Sequence, residues 1–288
     1  MKYAFIEKHC SEFSVKRQCR WLDVSRSGYY EWKQRLSVPS PKHEQRQTID
    51  SAVLLAFDKR KHRYGSPRLT LELNEAGFSV AENTVAASMQ RQDLVAKAGR
   101  KFKATTNSRH RLPFAPNLLD QDFACDEINT KWCGDITYLW TNEGWLYLAV
   151  VIDLFSRKVV GWSMSERMTK GLVCAAQNMA INNRGQLKNT IMHTDRGSQY
   201  CSKRFQKQLK AAGLLSSMSD KGNCYDNACA ESFFHSLKVE AIHGEDIKTR
   251  EQMRSAVFEY IELDYNRIRH HSSIGNKSPI NYEMAKAA

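Results

Sequence analysis

From residue 131 onward the chain switches between two hydrophobic periodicities, and this order of elements constrains the fold more than any other feature of the sequence. Three strand patterns come first, at 131–140, 144–156 and 158–164, with a short NEG turn between the first two. A helix, a strand, a second helix, a short strand and a long helix follow. We therefore predict the order βββαβαβα, an α/β fold in which helices flank a mixed five-stranded sheet.

Three acidic residues lie on or beside three of these elements. Asp135 is inside the first strand pattern, where a charge is costly unless it is paired or ligated. Asp195 ends the fourth strand, which in a mixed sheet can lie beside the first. Glu231 falls in the first turn of the last helix, with 35 residues between it and Asp195. The three carboxylates are therefore expected at one edge of the sheet.

Carboxylates on three elements offer the oxygen ligands that suit Mg²⁺, with Mn²⁺ as a substitute. Two such ions, roughly 3.5 to 4 Å apart, would activate a water or a 3′-hydroxyl and stabilise the leaving oxygen. The pattern thus predicts a phosphoryl-transfer site. Taken singly, each acid also has a structural interpretation, since Asp195 can cap a turn and Glu231 can favour a helix N-terminus.

The first part of the chain carries most of the net charge of +12. Residues 1–114 contain 22 Lys and Arg against 11 Asp and Glu. We predict an N-terminal helix-turn-helix at 1–38, a second helical DNA-binding module at 39–95 and a basic linker at 96–124. The excess of basic residues in this part of the chain is typical of a protein that binds a polyanion. Two alternatives to DNA binding stay open: a basic surface that is simply solvated, and a plain helical bundle.

Residues 125–245 are predicted to form the catalytic core, and 246–288 a C-terminal helix and tail that pack on it. No apolar run approaches the roughly 20 residues of a membrane span, and the N-terminus has no signal region, so we expect no membrane partner and a cytoplasmic protein. The eight cysteines have no CxxC spacing, which favours reduced and mostly buried thiols.

Four motifs carry a family resemblance: GDITY from residue 134, HTDRGSQYCS from 193, SDKGNCYDNACAESFFHSLKVE from 219 and YNRIRHHSSIGNKSP from 265. Together they strongly resemble the second-frame (OrfB) transposases of the IS3 family of bacterial insertion sequences, and the resemblance covers nearly all of the chain. It implies a ribonuclease-H-like catalytic domain similar to that of retroviral integrases. Carried over residue by residue, it implies that Asp135, Asp195 and Glu231 are the Asp-Asp-Glu catalytic triad and the metal ligands.

The resemblance further implies metal-dependent DNA cleavage and strand transfer at the terminal inverted repeats of an insertion sequence, by attack of a 3′-hydroxyl on phosphodiester bonds. The expected cofactor is Mg²⁺, two ions per active site when DNA is bound. The expected partners are the inverted-repeat ends, target DNA, a first-frame protein as fusion or partner, and further copies of the chain in a dimer or larger assembly on DNA. Two other functions stay open: a catalytically silent DNA-binding repressor and a nuclease without joining activity.

Basic and polar residues in both halves of the chain are candidates for DNA contact. They are Arg63, Arg68, Arg100, Lys101, Lys103, Lys221, Asn223, Tyr225, Lys238, Arg267 and Arg269. The closing YNRIRHHSS segment can lend Arg or His side chains to the catalytic edge or to DNA, or it can simply pack on the core.

Aromatic residues on the strands have a structural interpretation. Trp132, Trp140, Trp145 and Trp162 fall on or beside strands and are expected to pack on the sheet faces rather than to stack on bases. Asp153, at a strand end, is expected to cap a turn or to pair with Arg157.

Overall fold

The chain forms two units, residues 1–97 and 98–288. The structure is a computed structural model that describes residues 1–37, 41–97, 114–185, 187–219, 227–247 and 249–287. The boundary between the units lies within the segment that the sequence predicts as a linker.

Helices build the first unit. The helices are α1 Lys2–Lys8, α2 Val15–Trp21, α3 Arg26–Ser37, α4 Pro41–Lys59, α5 Ser66–Glu75 and α6 Glu82–Arg91. One apolar cluster, centred on Ile6, Cys19 and Tyr29, joins α1 to α3. A separate cluster that includes Phe57 and Leu69 joins α4 to α6. The described residues of this unit contain helices and no strand, as the sequence predicts, although α1 was not predicted.

The second unit contains the strands. Its elements are β1 Lys131–Thr141, β2 Gly144–Asp153, β3 Val159–Ser165, α7 Lys170–Arg184, β4 Ile191–Thr194, α8 Lys203–Ala211, β5 Leu215–Met218, α9 Ala228–Leu237, α10 Arg250–Phe258 and α11 Pro279–Ala287. Two π-helical segments, Lys238–Ile242 and Glu259–Tyr265, continue α9 and α10. The predicted order βββαβαβα is confirmed.

The five strands form one mixed sheet in the order β3-β2-β1-β4-β5. β1, β2 and β3 pair antiparallel as a meander, whereas β4 is parallel to both β1 and β5. Helices cover both faces: α9 and α10 pack with Cys133 and Leu139 of β1, and α7 and α8 pack with Trp132 on the opposite face. This is a ribonuclease-H-like architecture with β1 at the centre of the sheet.

The residues just before β1 lie against the second unit. Leu119 is buried in the core beneath α9 and α10. The backbone N–H of Leu118 donates to the Ser217 hydroxyl (2.8 Å), and Pro116 accepts from the backbone N–H of Met218 (3.3 Å). Residues 116–119, part of the predicted linker, therefore belong to the packing of the sheet edge at β5.

Asp153, at the end of β2, has a different partner from the one the sequence suggested. Its carboxylate is fully buried and pairs with Arg184 of α7 (3.2 Å), which also binds Glu283 of α11. Arg157 instead donates only its backbone N–H to the Asp153 carbonyl (2.8 Å) from a left-handed conformation. The predicted turn cap is confirmed, because Oδ1 of Asp153 accepts a hydrogen bond from the backbone N–H of Phe155 (3.0 Å). The alternative of an ion pair with Arg157 is wrong, since the carboxylate pairs with Arg184.

Gly161 of β3 allows α7 to approach the sheet closely. A Cβ at this position would lie 2.3 Å from the carbonyl oxygen of Ala176 and 2.5 Å from the backbone nitrogen of Ala180. Both atoms belong to helix backbone, so they cannot move away without displacing α7. We expect Gly161→Ala to destabilise the second unit by about 3 kcal/mol, the upper part of the range for overpacked cores, in a urea unfolding titration. Gly171→Ala, whose Cβ would make only an ordinary contact at 3.4 Å, is the matched control and should not lower the midpoint, because alanine is the better helix former in α7. Equal losses in the two variants would contradict this packing argument.

In the part of the chain that the structure describes, all seven cysteines are free thiols. No helix in the same ranges has both the length and the apolar character needed to cross a membrane.

Candidate active site

Asp135 and Asp195 lie side by side where β4 ends next to β1. In the parallel register of these strands Gly134 pairs with Thr194, so the next residue on each strand is an aspartate. β1 continues beyond this point, whereas β4 stops. The carboxyl end of β4 therefore places two acids on neighbouring strands, as expected for a site at the edge of an open sheet.

The environment of Asp135 disfavours its negative charge. Burial raises the pKa of this carboxyl well above its ordinary value, and the charges of Asp195 and Glu231 raise it further. The backbone N–H of Ile136, which donates to Oδ1 of Asp135 (2.7 Å), and the charge of Lys238 act in the opposite direction. Acids that repel one another in this way are an arrangement that a bound cation would stabilise.

The turn after β4 fixes the position of Asp195. Oδ1 of Asp195 accepts a hydrogen bond from the backbone N–H of Gly197 (2.9 Å). Next to it, Nε of Arg196 donates to the carbonyl of Ser219 (2.6 Å), and the guanidinium lies 4.0 Å from the centre of the Phe114 ring. The turn is thus tied to the end of β5, which holds the carboxylate in a defined place.

Gly197 leaves room for the Asp195 carboxylate. A Cβ at residue 197 would lie 2.9 Å from Oδ1 of Asp195 and 3.2 Å from Oε1 of Gln199. Because the aspartate side chain is short, Gly197→Ala would displace the carboxylate. We expect this variant to lose about a hundredfold in the activity of this site, the size of effect that a 1 Å misplacement can produce, with an unchanged melting temperature. Ser198→Ala, a substitution at the exposed neighbouring position, is the control, and a fully active Gly197→Ala protein would contradict the role given to the turn.

Glu231 approaches the same edge from helix α9. The helix packs on the sheet through Phe233, Phe234 and Leu237, and this leaves Glu231, in its first turn, exposed. Its charge contributes to the raised pKa of Asp135. Among the described residues, no three His, Cys, Asp or Glu side chains are close enough together to hold a metal ion. The three acids therefore influence one another electrostatically without forming a closed ligand cage.

Lys238, at the start of the π-helical segment after α9, also reaches this edge. Burial lowers the pKa of its ammonium, while Asp135 raises it. The Nζ atom lies 5.2 Å from the centre of the Tyr138 ring on β1. The predicted DNA-contact residue Lys238 is thus placed beside the candidate catalytic acids.

Tyr200 is a candidate that the sequence reasoning missed. The side chain is buried, and its hydroxyl has no hydrogen-bond partner among the described residues. Burial raises the pKa of Tyr200 well above its ordinary value, and the charges of Asp135 and Asp195 add to this effect. The available signal was its place in the HTDRGSQYCS motif, five residues after Asp195.

Of the other predicted DNA contacts, three besides Arg269 lie within the described residues. Arg63 lies in the loop between α4 and α5 and Arg68 in the first turn of α5; both are partly buried, and the guanidinium of Arg68 lies 5.4 Å from the centre of the Tyr64 ring. Arg267 is exposed and donates from Nε to the carbonyl of Glu262 (3.1 Å). Six further candidates lie outside the described residues: Arg100, Lys101, Lys103, Lys221, Asn223 and Tyr225.

Arg269 does not lie where a phosphate contact would be expected. It is buried, its Nε and Nη2 donate to both carboxylate oxygens of Glu240 at 2.8 to 3.1 Å, and Nη2 also donates to the Ser236 hydroxyl. The placement corrects the expectation of a DNA contact here, because a guanidinium committed to a buried carboxylate cannot also face a DNA backbone. Of the histidines that follow, His270 bonds the carbonyl of Asn276 (2.6 Å) and His271 packs on the Tyr265 ring, so the segment packs on the core.

Family comparisons cover both units. The integrase core domain family matches residues 126–224, a second integrase core domain family matches 231–286, and an HTH-like domain family matches 44–102. Of solved structures, a simian T-cell lymphotropic virus intasome in complex with PP2A regulatory subunit B56 gamma covers 81% of this chain and 73% of that chain, at 18% identity and a TM-score of 0.46. The HTLV-2 integrase catalytic core domain in complex with magnesium covers 54% of this chain and 96% of that chain, at 18% identity and a TM-score of 0.41.

Two curated relatives match at much higher identity. The 31 kDa protein of insertion element IS600 from Shigella sonnei is 43% identical, over 91% of this chain and 95% of its own length. The transposase InsF of insertion sequence IS3A from Escherichia coli (strain K12) is 59% identical over all 288 residues, which is 100% of both chains. With this identity along its whole length, an integrase core and an HTH-like domain, the chain belongs to the IS3 family of insertion-sequence transposases.

Proposed function

We propose that this transposase cleaves DNA at the terminal inverted repeats of an insertion sequence and joins the freed strand to a target by direct attack of a 3′-hydroxyl. In the joining step the 3′ oxygen forms a bond to phosphorus, and the bond from phosphorus to the 3′ oxygen of the target strand breaks. Asp135, Asp195 and Glu231 are the proposed catalytic residues. Membership of the transposase family does not by itself establish the cleavage and joining reactions. The proposal for these reactions rests on the geometry of the site described above.

The observation that carries the proposal is the adjacent placement of Asp135 and Asp195 on two parallel strands. Both acids are partly buried, and the carboxyl of Asp135 has a strongly raised pKa. Two neighbouring carboxylates cost stability unless they gain a positive partner. Two carboxylates that destabilise the fold at one edge of the sheet are typical of a functional site, and this supports a catalytic role for Asp135 and Asp195 over a purely structural one.

The donor set fits Mg²⁺, or Mn²⁺ in its place. Carboxylate oxygens are the ligands these hard cations prefer, and they leave positions for water and phosphate oxygens. The buried hydroxyl of Tyr200, next to Asp135 and Asp195, supplies a protonated donor that the described residues do not satisfy. Water molecules around a bound cation would satisfy this donor. We propose Asp135, Asp195 and Glu231 as the ligands, with two ions per active site when DNA is bound.

The cations would supply Lewis-acid stabilisation of the phosphate oxygens and lower the pKa of the attacking hydroxyl. The protein's own residues hold and orient these groups. Asp135 is fixed by the β1 backbone and Asp195 by the turn at Gly197, while Glu231 comes from the exposed side of α9. Lys238 contributes positive charge at the same edge, which suits a DNA backbone.

We propose that the remaining contacts to DNA come from both units. In the first unit the proposed contacts are Arg63 and Arg68. Arg100, Lys101 and Lys103 follow this unit in the chain. In the second unit the proposed contacts are Lys221, Asn223, Tyr225, Lys238 and Arg267. We also propose that a first-frame protein takes part, either fused to this chain or as a separate partner. Further copies of the chain would assemble on the DNA, and the protein would act at the bacterial nucleoid.

A test uses a labelled duplex that ends in the inverted repeat flanking this gene, with either a 3′-hydroxyl or a 3′-deoxy terminus, plus supercoiled target DNA. Purified protein with Mg²⁺ or Mn²⁺ should yield joined products only from the hydroxyl-ended duplex, and EDTA should abolish them. Nicked DNA without joined strands, from either terminus, would instead indicate a nuclease. Metal-independent binding without any new DNA ends would indicate a repressor.

A further inference from the structure

Three aromatic side chains form a contiguous edge-to-face cluster on the hairpin of β1 and β2. We call Tyr138, Trp140 and Trp145 the aromatic ladder. Trp140 and Trp145 are cross-strand partners on β1 and β2, with ring centres 4.7 Å apart and a T-shaped contact. The Tyr138 ring also makes a T-shaped contact with Trp145, with ring centres 5.1 Å apart. The three rings thus form one continuous surface.

The aromatic ladder is exposed, contrary to the expectation that the strand tryptophans fill the sheet faces. Trp140 is 59% exposed, Trp145 43% and Tyr138 37%. The expectation holds for Trp132, which is fully buried, and in part for Trp162, whose indole N–H donates to Glu262 (2.7 Å). Large aromatic rings that remain in water and pack edge-to-face with each other indicate a binding surface.

The ladder begins close to the catalytic acids. Tyr138 and Trp140 follow Asp135 by three and five residues on the same strand, which corresponds to about 10 and 17 Å at 3.3 Å per residue, and because side chains alternate along a strand these rings project from the opposite face of the sheet. Lys238 links the two regions, because its charge acts on Asp135 and its Nζ lies over the Tyr138 ring. A DNA strand that leaves the proposed active site across the edge of β1, which extends beyond the end of β4, would reach the ladder about three to five nucleotides from the reacting phosphate, at 3.4 Å per nucleotide.

The charge at the inner end of the ladder suits DNA, whereas the cation at the outer end is balanced by carboxylates. Lys238 stands at its inner end. At its outer end lies Arg250, which pairs with Glu166 (2.9 Å), while its backbone N–H is bound by Glu143 of the turn (2.8 Å). A second copy of the chain fits less well, since three half-exposed rings offer about 300 Å², whereas a stable interface buries about 800 Å² on each partner.

We propose that the aromatic ladder binds unpaired bases of the DNA strand that runs from the active site. Base faces are accessible only where a duplex is open, and stacking on aromatic rings is the usual way in which proteins bind single-stranded DNA without reading its sequence. This inference rests on the proposed function for the position of the DNA. It adds that the ends are opened, or carry a single-stranded extension, within the first few nucleotides.

The test compares two DNA ligands in EDTA, so that no cleavage or joining contributes. One is the inverted-repeat end as a blunt duplex, and the other carries a five-nucleotide single-stranded extension with 2-aminopurine at the third to fifth positions. The wild-type protein should bind the extended DNA about tenfold more tightly or more, with quenching of the 2-aminopurine fluorescence. Trp140→Leu/Trp145→Leu should lose both effects while binding the blunt duplex as the wild type does.

Two further variants control for aromaticity and for surface changes. Trp140→Phe keeps a ring and should retain most of the preference for extended DNA. Phe258→Leu removes an exposed ring from α10, outside the ladder, and should change nothing. The inference would be overturned if the wild-type protein bound the two DNA ligands equally well. It would also be overturned if the double variant lost affinity for both ligands equally, or if the double substitution changed the oligomeric state of the protein in solution. Because binding is measured without chemistry, failure here is distinct from failure of the joining assay.

Discussion

Asp135→Asn is expected to lower strand joining about a thousandfold or more, while raising the thermal stability of the protein. The loss follows because a metal ion contributes several kcal/mol to the transition state, and each 1.4 kcal/mol corresponds to tenfold in rate. The gain follows because burial and two neighbouring acids raise the pKa of the Asp135 carboxyl in the folded state. A side chain that cannot ionise avoids that destabilisation.

The sign of the pH dependence can be stated for the metal-free wild type. The folded-state pKa of Asp135 is above the unfolded value, so the protonated form favours the folded state. This stability is fully present below the ordinary carboxyl pKa and is lost as pH rises toward the raised one. Asp135→Asn should therefore melt at a higher temperature than the wild type at neutral pH. The difference should shrink at acidic pH and on addition of Mg²⁺ or Mn²⁺.

A matched control is Asp126→Asn, which removes an exposed acid close to β1 in sequence. It should change neither joining nor melting. Binding of the inverted-repeat duplex should be preserved in both variants. An Asp135→Asn protein that joins strands at the wild-type rate, or one that melts lower than the wild type without metal, would contradict the account of this carboxyl.

The second large effect concerns stability rather than catalysis. Glu240 is 6% exposed and Arg269 7%, and the Tyr260 hydroxyl also donates to Glu240 (2.9 Å). Removing one partner of a buried ion pair leaves an uncompensated charge and costs about 3 to 5 kcal/mol. We expect Arg269→Met to lower the melting temperature by about 10 °C. Arg267→Met, two residues away and exposed, should leave it unchanged while weakening DNA binding.

The double variant Glu240→Leu/Arg269→Met separates packing from charge. With both charges removed, the site becomes apolar, and the stability should recover to within about 1 to 2 kcal/mol of the wild type. DNA binding should be unaffected by the double substitution, because the guanidinium faces Glu240. A double variant that is well folded but has lost DNA affinity would return Arg269 to the list of DNA contacts.

Much of the catalytic unit could be predicted from local patterns. The period of the hydrophobic residues distinguished strands from helices, and their order restricted the sheet to few topologies. Asp135 was informative because it is a charged residue within an apolar strand. Asp195 was informative because it follows a second strand directly. The register that places Gly134 opposite Thr194 then brings both acids to the same edge.

Contacts between distant segments could not be predicted in this way. The sequence does not show that Arg269 pairs with Glu240, 29 residues away, or that Arg184 rather than Arg157 reaches Asp153. Periodicity also indicates which strand face a residue occupies, but not how far the helices extend over that face. Trp140 and Trp145 therefore looked like core residues, and only the structure shows them beyond the cover of the helices.

The most direct measurement of the central claim maps new strand junctions by sequencing. Wild-type protein and Asp195→Asn are incubated in parallel with the DNA flanking this gene, a target plasmid and Mg²⁺ or Mn²⁺. The account predicts junctions at the inverted-repeat termini with the wild type and none with Asp195→Asn, although both proteins bind the ends. Junctions formed equally by the two proteins would contradict the assignment of Asp195, and with it the active site proposed for this transposase.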